Sequence, residues 1–416
     1  MCENRSAPAR FREGWTRGAR TGLPNPPEDE ATLTFPAKTL FILCGEPSGE
    51  TYAVRVAREF RRRFPNAPMV GIGSDRLASE GVRLLRDYGE ISVVGLTEVI
   101  RHLPAIARAM RDAVRRTAEP DVGALLLVDF PEFNFRVGKK AHARGIPVIY
   151  YIPPQLWAWR AGRAKELARF TRGVVVPFPF EEPLLKEKGV NVRFAGHPLL
   201  DEVGPYLDVP AEPGRFGIPG GKRVVGLLPG SRSGEIRRHF PPMVEAARRI
   251  AERFPDVHFA VPLAEPGFRE GIVAGLTGSR LPLTIVGNER FLLFRGMTAA
   301  LSVSGTATLE LALFGVPSVI VYRTSSVTYW IGKRMARVTT IGLPNIVAGR
   351  KFLPELIQDE CRPETMAREL GKLLDDDDRR EELAKACRGL KGFLSGTGPS
   401  EAVVEMLARE AGRAWG

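Results

Sequence analysis

Short apolar runs alternate with helical patterns along nearly the whole chain, and this alternation restricts the fold more than any other feature. Thr39–Leu43, Met69–Ile72, Val122–Val128, Val148–Ile152, Val174–Val176 and Val192–Phe194 are each followed by a stretch with helical spacing or a turn. Strands separated by helices pair in parallel, because a helical crossover brings the chain back to start the next strand from the same end of the sheet. Between Gly204 and Gly221 the chain turns rich in Pro and Gly, and the alternation then restarts with Val224–Leu228, Val257–Val261, Leu283–Val286, Ala299–Val303 and Ser318–Tyr322. The break predicts two Rossmann-like domains, residues 37–203 and 222–390, joined by a linker over 204–221. A C-terminal helical segment, 391–416, is expected to pack back on the first domain. A chain of 416 residues with 44% hydrophobic content has apolar material for two cores.

The rest of the composition narrows the function class. Residues 1–36 are rich in Arg, Pro, Gly and Glu and lack the apolar centre of a secretory signal, so they read as a disordered extension or a misassigned start. Cys2, Cys44, Cys361 and Cys387 have no paired spacing, which argues against a zinc site or a disulfide framework and for a reducing compartment. No apolar run reaches the roughly 20 residues that a membrane span needs. The formal charge of +12 indicates an anionic partner. Arginine is spread over many helices without an aromatic platform, so nucleic acid is not the expected one.

The first strand of each half runs into a small-residue loop. Thr39–Leu43 leads to Gly45-Glu46-Pro47-Ser48-Gly49-Glu50, and Val224–Leu228 leads to Pro229-Gly230-Ser231-Arg232-Ser233-Gly234-Glu235. A loop that hands a strand over to a helix offers unpaired N–H groups and the positive end of the helix dipole, a natural anion site. Arg232 adds a guanidinium able to grip a diphosphate, although arginine on a solvated loop is commonplace. A third turn, Ser304-Gly305-Thr306-Ala307-Thr308-Leu309-Glu310, follows Ala299–Val303 and opens a helical pattern that closes at Gly315. Small polar residues also cap ordinary helices, so a plain reading stands beside the phosphate one. Glu310 suits ribose hydroxyls or, more plainly, the helix dipole.

Asp129 follows Leu125-Leu126-Leu127-Val128 and so emerges at the carboxyl end of a buried strand, where open α/β sheets keep reactive groups. Phe130, Phe133 and Phe135 would lower the local dielectric and raise its pKa towards that of a general base, and capping the next segment is the alternative. The stretch from Tyr150 to Arg160 concentrates aromatics and a cation, which suits a sugar or phosphate rim or a structural patch. His197, between Gly196 and Pro198, reads first as a packed loop histidine, and no second histidine is spaced for a metal pair. Asp375–Asp378 reads as solvated charge at a helix start. From Val99 to Arg116 apolar residues recur with helical spacing against an Arg-rich remainder. That pattern fits a core-facing helix with a solvated back, or an amphipathic surface for anionic lipid, with Pro104 breaking or bending it.

Gly45–Glu50, Asp129–Asn134, Trp157–Arg160, Gly230–Arg232, Ser304–Glu310 and Leu343–Arg350 occur together in one order. In this the chain resembles the lipid-A-disaccharide synthase family over roughly residues 38–410. The resemblance implies a GT-B glycosyltransferase fold, two Rossmann-like domains facing across a cleft, with UDP on the C-terminal domain and the acyl-sugar acceptor on the N-terminal one. It implies that a UDP-2,3-diacylglucosamine donor passes its sugar, with inversion, to the 6-hydroxyl of 2,3-diacylglucosamine 1-phosphate. The products are a β-1,6 disaccharide and UDP. Asp129 matches the family's essential aspartate, the base candidate, and Arg232 its essential arginine, which would steady the departing diphosphate. The substrate-binding candidates are Gly45, Glu46, Ser48, Gly49, Asn134, Gln155, Trp157, Arg160, His197, Gly230, Ser231, Glu235, Ser304, Gly305, Thr306, Glu310 and Asn345.

No cofactor and no metal is implied, since a cation and helix N-termini suffice for a diphosphate leaving group. The expected surroundings are the anionic cytoplasmic face of the inner membrane of a Gram-negative-type bacterium, held peripherally, and a homodimer is left open. Glu50 stands where many members have Asp, and Pro153 where many have Ser, which puts the contact at position 50 in question. Rival readings are a UDP-sugar 2-epimerase or another transferase on the same fold, and a non-catalytic receptor for nucleotide or acidic lipid.

Overall fold

A computed structural model describes residues 37–90, 96–156, 162–263, 266–324 and 340–415. The first sheet contains β1 (Thr39–Leu43), β2 (Met69–Gly73), β3 (Val82–Asp87), β4 (Val122–Val128), β5 (Val148–Tyr151), β6 (Gly173–Val176) and β7 (Val192–Phe194). They are parallel throughout, in the order β3-β2-β1-β4-β5-β6-β7. The second contains β8 (Arg223–Leu228), β9 (Val257–Pro262), β10 (Leu283–Val286), β11 (Met297–Val303), β12 (Ser318–Tyr322) and β13 (Glu355–Ile357), also parallel, in the order β10-β9-β8-β11-β12-β13.

Both sheets are covered on both faces, which is why their central strands read as continuous apolar runs. β4 is buried along its whole length. Alternate residues of β1 serve opposite sides: Phe41 and Leu43 pack with Leu125, Leu127 and Tyr150, and Leu40 and Ile42 pack with Leu126, Ile149 and Tyr151. In the second sheet Val225 and Leu227 join one core, and Val224 and Leu228 the other.

In each sheet the chain builds outward in one direction and then restarts from the middle. β1 therefore lies beside β4, and β8 beside β11. Where strand order reverses, the loops leaving the two central strands diverge to opposite faces and open a crevice at the carboxyl edge. The loops after β1, β4, β8 and β11 are four of the segments singled out in the sequence.

The chain passes between the two sheets twice, and the passages run side by side. Helix Asp377–Leu394 packs Cys387, Leu390 and Leu394 with Leu309 and Leu313 of the second lobe. Helix Pro399–Ala411 instead packs Val403 and Leu407 with Leu40 and Ile42 of the first, and Trp415 stacks edge-on against Phe60 at 4.8 Å. At the return, His197 N donates to Leu394 O (2.8 Å) and Gly398 N to Ala195 O (3.0 Å). A Cβ on Gly396 would stand 2.2 Å from the Ala195 carbonyl carbon, so the close approach admits only glycine.

The structure departs from the sequence reading at several points. Edge strands β3 and β13 escape it: β3 carries Arg83 and Arg86 on a half-exposed edge, and β13 is three residues long. Helix Leu96–Arg116 continues through Pro104, so of the expected break or bend the break does not occur. Ala109 and Ala113 bury in the core on the far side of the proline and hold the helix in place. Arg116 does not belong to a solvated back; it is buried, with both terminal nitrogens 2.6 Å from Asp121, whose carboxyl is held at about 2 mainly by that pairing. Tyr150 and Tyr151 are interior residues of β5 rather than a rim. The acidic run behaves as expected, with Asp376 accepting from Arg379 N at the start of its helix.

Gly396→Ala should lower stability by about 1–3 kcal/mol, because the clash is with backbone that cannot rotate away. Gly392→Ala, on an open helix surface, should instead raise it by a few tenths to about 1 kcal/mol. Urea unfolding of the two variants beside the parent distinguishes a packed crossing from a loose one.

Candidate active site

The turn after β4 is built on an unusual backbone. Asp129 (φ 49°) and Phe130 (φ 46°) are consecutive non-glycine residues in the left-handed region, each costing on the order of 1–3 kcal/mol unless the surroundings enforce it. Three groups enforce it. Asn134 Nδ2 donates to Asp129 O (2.7 Å) and Val128 O (3.2 Å), the Tyr150 hydroxyl donates to Asp129 O (2.8 Å), and Pro131 begins helix Pro131–His142. Asn134 is fully buried, so this candidate shapes the turn from beneath.

The loop after β1 is cut to fit that turn. A Cβ on Gly45 would fall 2.3 Å from the Phe130 ring, and one on Gly49 would stand 3.3 Å from Asp129 Cβ. Both glycines are thus explained by proximity to Asp129. Glu46 caps helix Pro47–Arg63 with extended backbone (φ −145°) and is half-buried, while Ser48 is exposed. Glu50 is fully buried, and its carboxylate accepts from Ser74 N (2.5 Å), Ser74 Oγ (2.8 Å) and the Tyr88 hydroxyl (3.3 Å). Its job is to tie this helix to the end of β2.

On the second lobe, Gly230 (φ 114°) turns the chain so that Glu235 Oε2 folds back to accept from Ser231 N (3.0 Å). Glu235 is thereby committed to the loop. Arg232, the capping residue of helix Ser233–Arg253, stays half-exposed. Its guanidinium lies 3.5 Å from Glu235 Oε1 and, across the gap between the lobes, 4.0 Å from Glu46 Oε2. Asp129 feels both: burial and the Glu46 carboxylate raise its pKa to about 6, while the Phe130 N–H and the Arg232 charge oppose them. Asp129, Glu46 and Arg232 therefore share one crevice.

The β11 turn contributes differently. Ser304 Oγ donates to Ile341 O (2.7 Å), Thr308 Oγ1 donates to Gly305 O (2.7 Å), and Gly305 and Thr306 are exposed at the start of helix Thr306–Leu313. Glu310 lies beyond that helix's first turn, which removes the dipole reading. Instead both its oxygens accept from Arg290, Nε at 3.1 Å and a terminal nitrogen at 3.0 Å. Glu310, Glu202 and Asp129 all raise the hydroxyl pKa of Tyr52, after burial, so the first lobe's helix faces this pair. Arg290 was indistinguishable in sequence from the other arginines.

Two candidates are buried inside the fold. Asn345 is buried and uses both donors, to Leu353 O and Glu355 Oε1, and its acceptor, from Phe352 N and Leu353 N. Its donors and acceptor are all committed inside the fold, against the expected contact with UDP, and its role is to fix the loop before β13. His197 Nδ1 accepts from Leu199 N (3.1 Å), its ring lies 5.1 Å from Phe178, and burial drives its pKa down to about 3. It is a neutral packed histidine. Gln155 is exposed after β5. Trp157 and Arg160 lie outside the described residues.

A family model described as Lipid-A-disaccharide synthetase matches residues 40–397. The lipid-A-disaccharide synthase of Geobacter sulfurreducens is 40% identical over 375 residues, covering 89% of this chain and 98% of the relative. That of Myxococcus xanthus is 38% identical over 379 residues, covering 90% and 99%. Among solved structures, the UDP-GlcNAc 2-epimerase from Neisseria meningitidis bound to UDP-GlcNAc matches with a TM-score of 0.59 at 14% identity, over 89% of this chain and 100% of that one. The glycosyltransferase of kitacinnamycin matches with a TM-score of 0.60 at 14% identity, over 90% and 99%. Likeness at such identity speaks for the two-lobed fold alone.

The raised pKa of Asp129 has a stability consequence. Its native pKa lies above the ordinary carboxylate value, so the associated stability is complete below about pH 4 and is lost as pH rises through about 6. Asp129→Asn should therefore be more stable than the parent above pH 6, by on the order of 1–3 kcal/mol, with the gain vanishing near pH 4. Denaturation midpoints measured across that range test the sign.

Proposed function

Because the chain belongs to the lipid-A-disaccharide synthase family, we propose that its two lobes divide the reaction, the first presenting the acyl-sugar acceptor and the second holding UDP. The protein is a glycosyltransferase of lipid A disaccharide synthesis. Our reading assigns UDP-2,3-diacylglucosamine as donor and 2,3-diacylglucosamine 1-phosphate as acceptor. Asp129 takes the proton of the acceptor's 6-hydroxyl as that oxygen attacks the anomeric carbon. The bond from that carbon to the diphosphate oxygen breaks on the opposite side, with inversion, and UDP leaves with its charge against Arg232 and the exposed N–H groups of the β8 and β11 turns.

One observation carries this reading. A carboxyl with a pKa near 6 and a half-exposed arginine feel each other across the crevice where both sheets reverse. A base of that strength is ionised at neutral pH and still able to accept a proton in the transition state. Glu310, braced by Arg290, is the candidate for the ribose. The 2-epimerase and the non-catalytic receptor are not favoured, since the full-length relatives are synthases and the epimerases share only the fold.

No helix among the described residues is long and apolar enough to cross a membrane. We attribute membrane association to the formal charge of +12 meeting anionic lipid from one side. Sedimentation with anionic vesicles should then be strong at low salt and lost at high salt; absence of binding at every salt concentration removes the proposal.

With both acylated sugars and a chelator present, the protein should form disaccharide and UDP. Asp129→Asn should slow turnover by about 10² to 10⁴ while leaving UDP binding nearly intact. In the parent, kcat/KM should fall about tenfold per unit below pH 6. Arg232→Ala should lose on the order of 1.5–3 kcal/mol, mostly in the transition state. Near-parental rates in either variant would remove the corresponding role.

A further inference from the structure

We propose that Glu46 is a stand-in for the donor's diphosphate: its carboxylate occupies Arg232 until the nucleotide displaces it, which makes Glu46 a positioning residue that binding must overcome. The inference rests on the proposed reading that Arg232 receives the diphosphate.

Geometry supports it. Arg232 is flanked by two carboxylates with different obligations. Glu235 comes from its own helix and is held by Ser231 N, 3.0 Å away. Glu46 comes from the other lobe, 4.0 Å from the guanidinium, with both side chains about half exposed. A pair with that exposure is weak and exchangeable, and a diphosphate, with more charge and two or more acceptor oxygens, is the stronger partner for the same planar fork. Pro47 and the helix that follows fix the Glu46 backbone, and Gly45 and Gly49 press that loop onto Phe130 and Asp129. The carboxylate therefore stays in the crevice after it is displaced.

The exchange also acts on Asp129. The groups around it are Glu46 on the β1 loop, Arg232 on the β8 loop, the Phe130 N–H, Tyr52 on helix Pro47–Arg63 and Tyr150 on β5. Of these, Glu46 opposes ionisation and Arg232 favours it. When diphosphate neutralises Arg232, the opposing charge remains, and Asp129 becomes a stronger base once the donor has arrived.

The test is UDP titration calorimetry on the full chain, into the millimolar range, for the parent, Glu46→Gln, Arg232→Ala and the double variant, with melting temperatures checking the fold. Glu46→Gln should bind UDP roughly two- to fivefold more tightly, and the gain should disappear in the Arg232→Ala background. The acid limb of its kcat/KM profile should also move to lower pH. Unchanged or weaker UDP binding by Glu46→Gln overturns the stand-in while leaving UDP on the second lobe. Tightening that persists without Arg232 overturns it too, since it would mean simple repulsion between carboxylate and nucleotide. Failure of the parent to bind UDP removes the reading beneath it and the inference together.

Discussion

The arrangement of the crevice depends on one backbone constraint, the pair of left-handed residues at Asp129 and Phe130. Neither is glycine, so the conformation persists only because Asn134, Tyr150 and Pro131 leave the chain no easier path. Its consequences spread outward. Phe130 is thrown onto Gly45, Asp129 is brought against Gly49, and the loop that carries Glu46 is pinned between them. The carboxyl then sits where burial and a neighbouring negative charge hold its proton more tightly than water would.

The crevice is acidic within a basic protein. Against a formal charge of +12, Glu46, Asp129, Glu202, Glu235 and Glu310 all lie around the gap, and Arg232, Arg55 and Arg290 answer them. Arg290 pairs with Glu310, and Arg55 reaches Asp201 at 2.9 Å and Pro198 O at 3.2 Å. Such matched charges keep cationic side chains oriented in a solvated gap, where a free arginine would sample many rotamers.

Much of the fold was legible because buried parallel strands leave an unbroken apolar signature, as in Val122–Val128, while β3 and β13, at the edges, need no such pattern. The loops after the central strands stood out by their glycines, and the structure gives those glycines reasons, the Phe130 ring for Gly45 and the Glu235 carboxylate for Gly230. Pairings between distant residues were not legible. Arg290 with Glu310, Asn345 with Glu355 and Asn134 with the Asp129 carbonyl arise from tertiary approach, which no local spacing encodes. Tyr150 misled for a related reason: an aromatic run ending a strand looks like a rim until the neighbouring layer that buries it is known.

The paired passages at residues 195–199 and 394–398 place the last helix of the chain over the core of the first lobe. A premature stop before Pro399 would delete no residue assigned to the chemistry, yet it would strip the cover from Phe60 and from the face of β5 and β6 around Ile149 and Gly173. Chains released early by a ribosome would present that greasy face to proteases and to each other, so the gene's final codons guard the quality of everything translated before them.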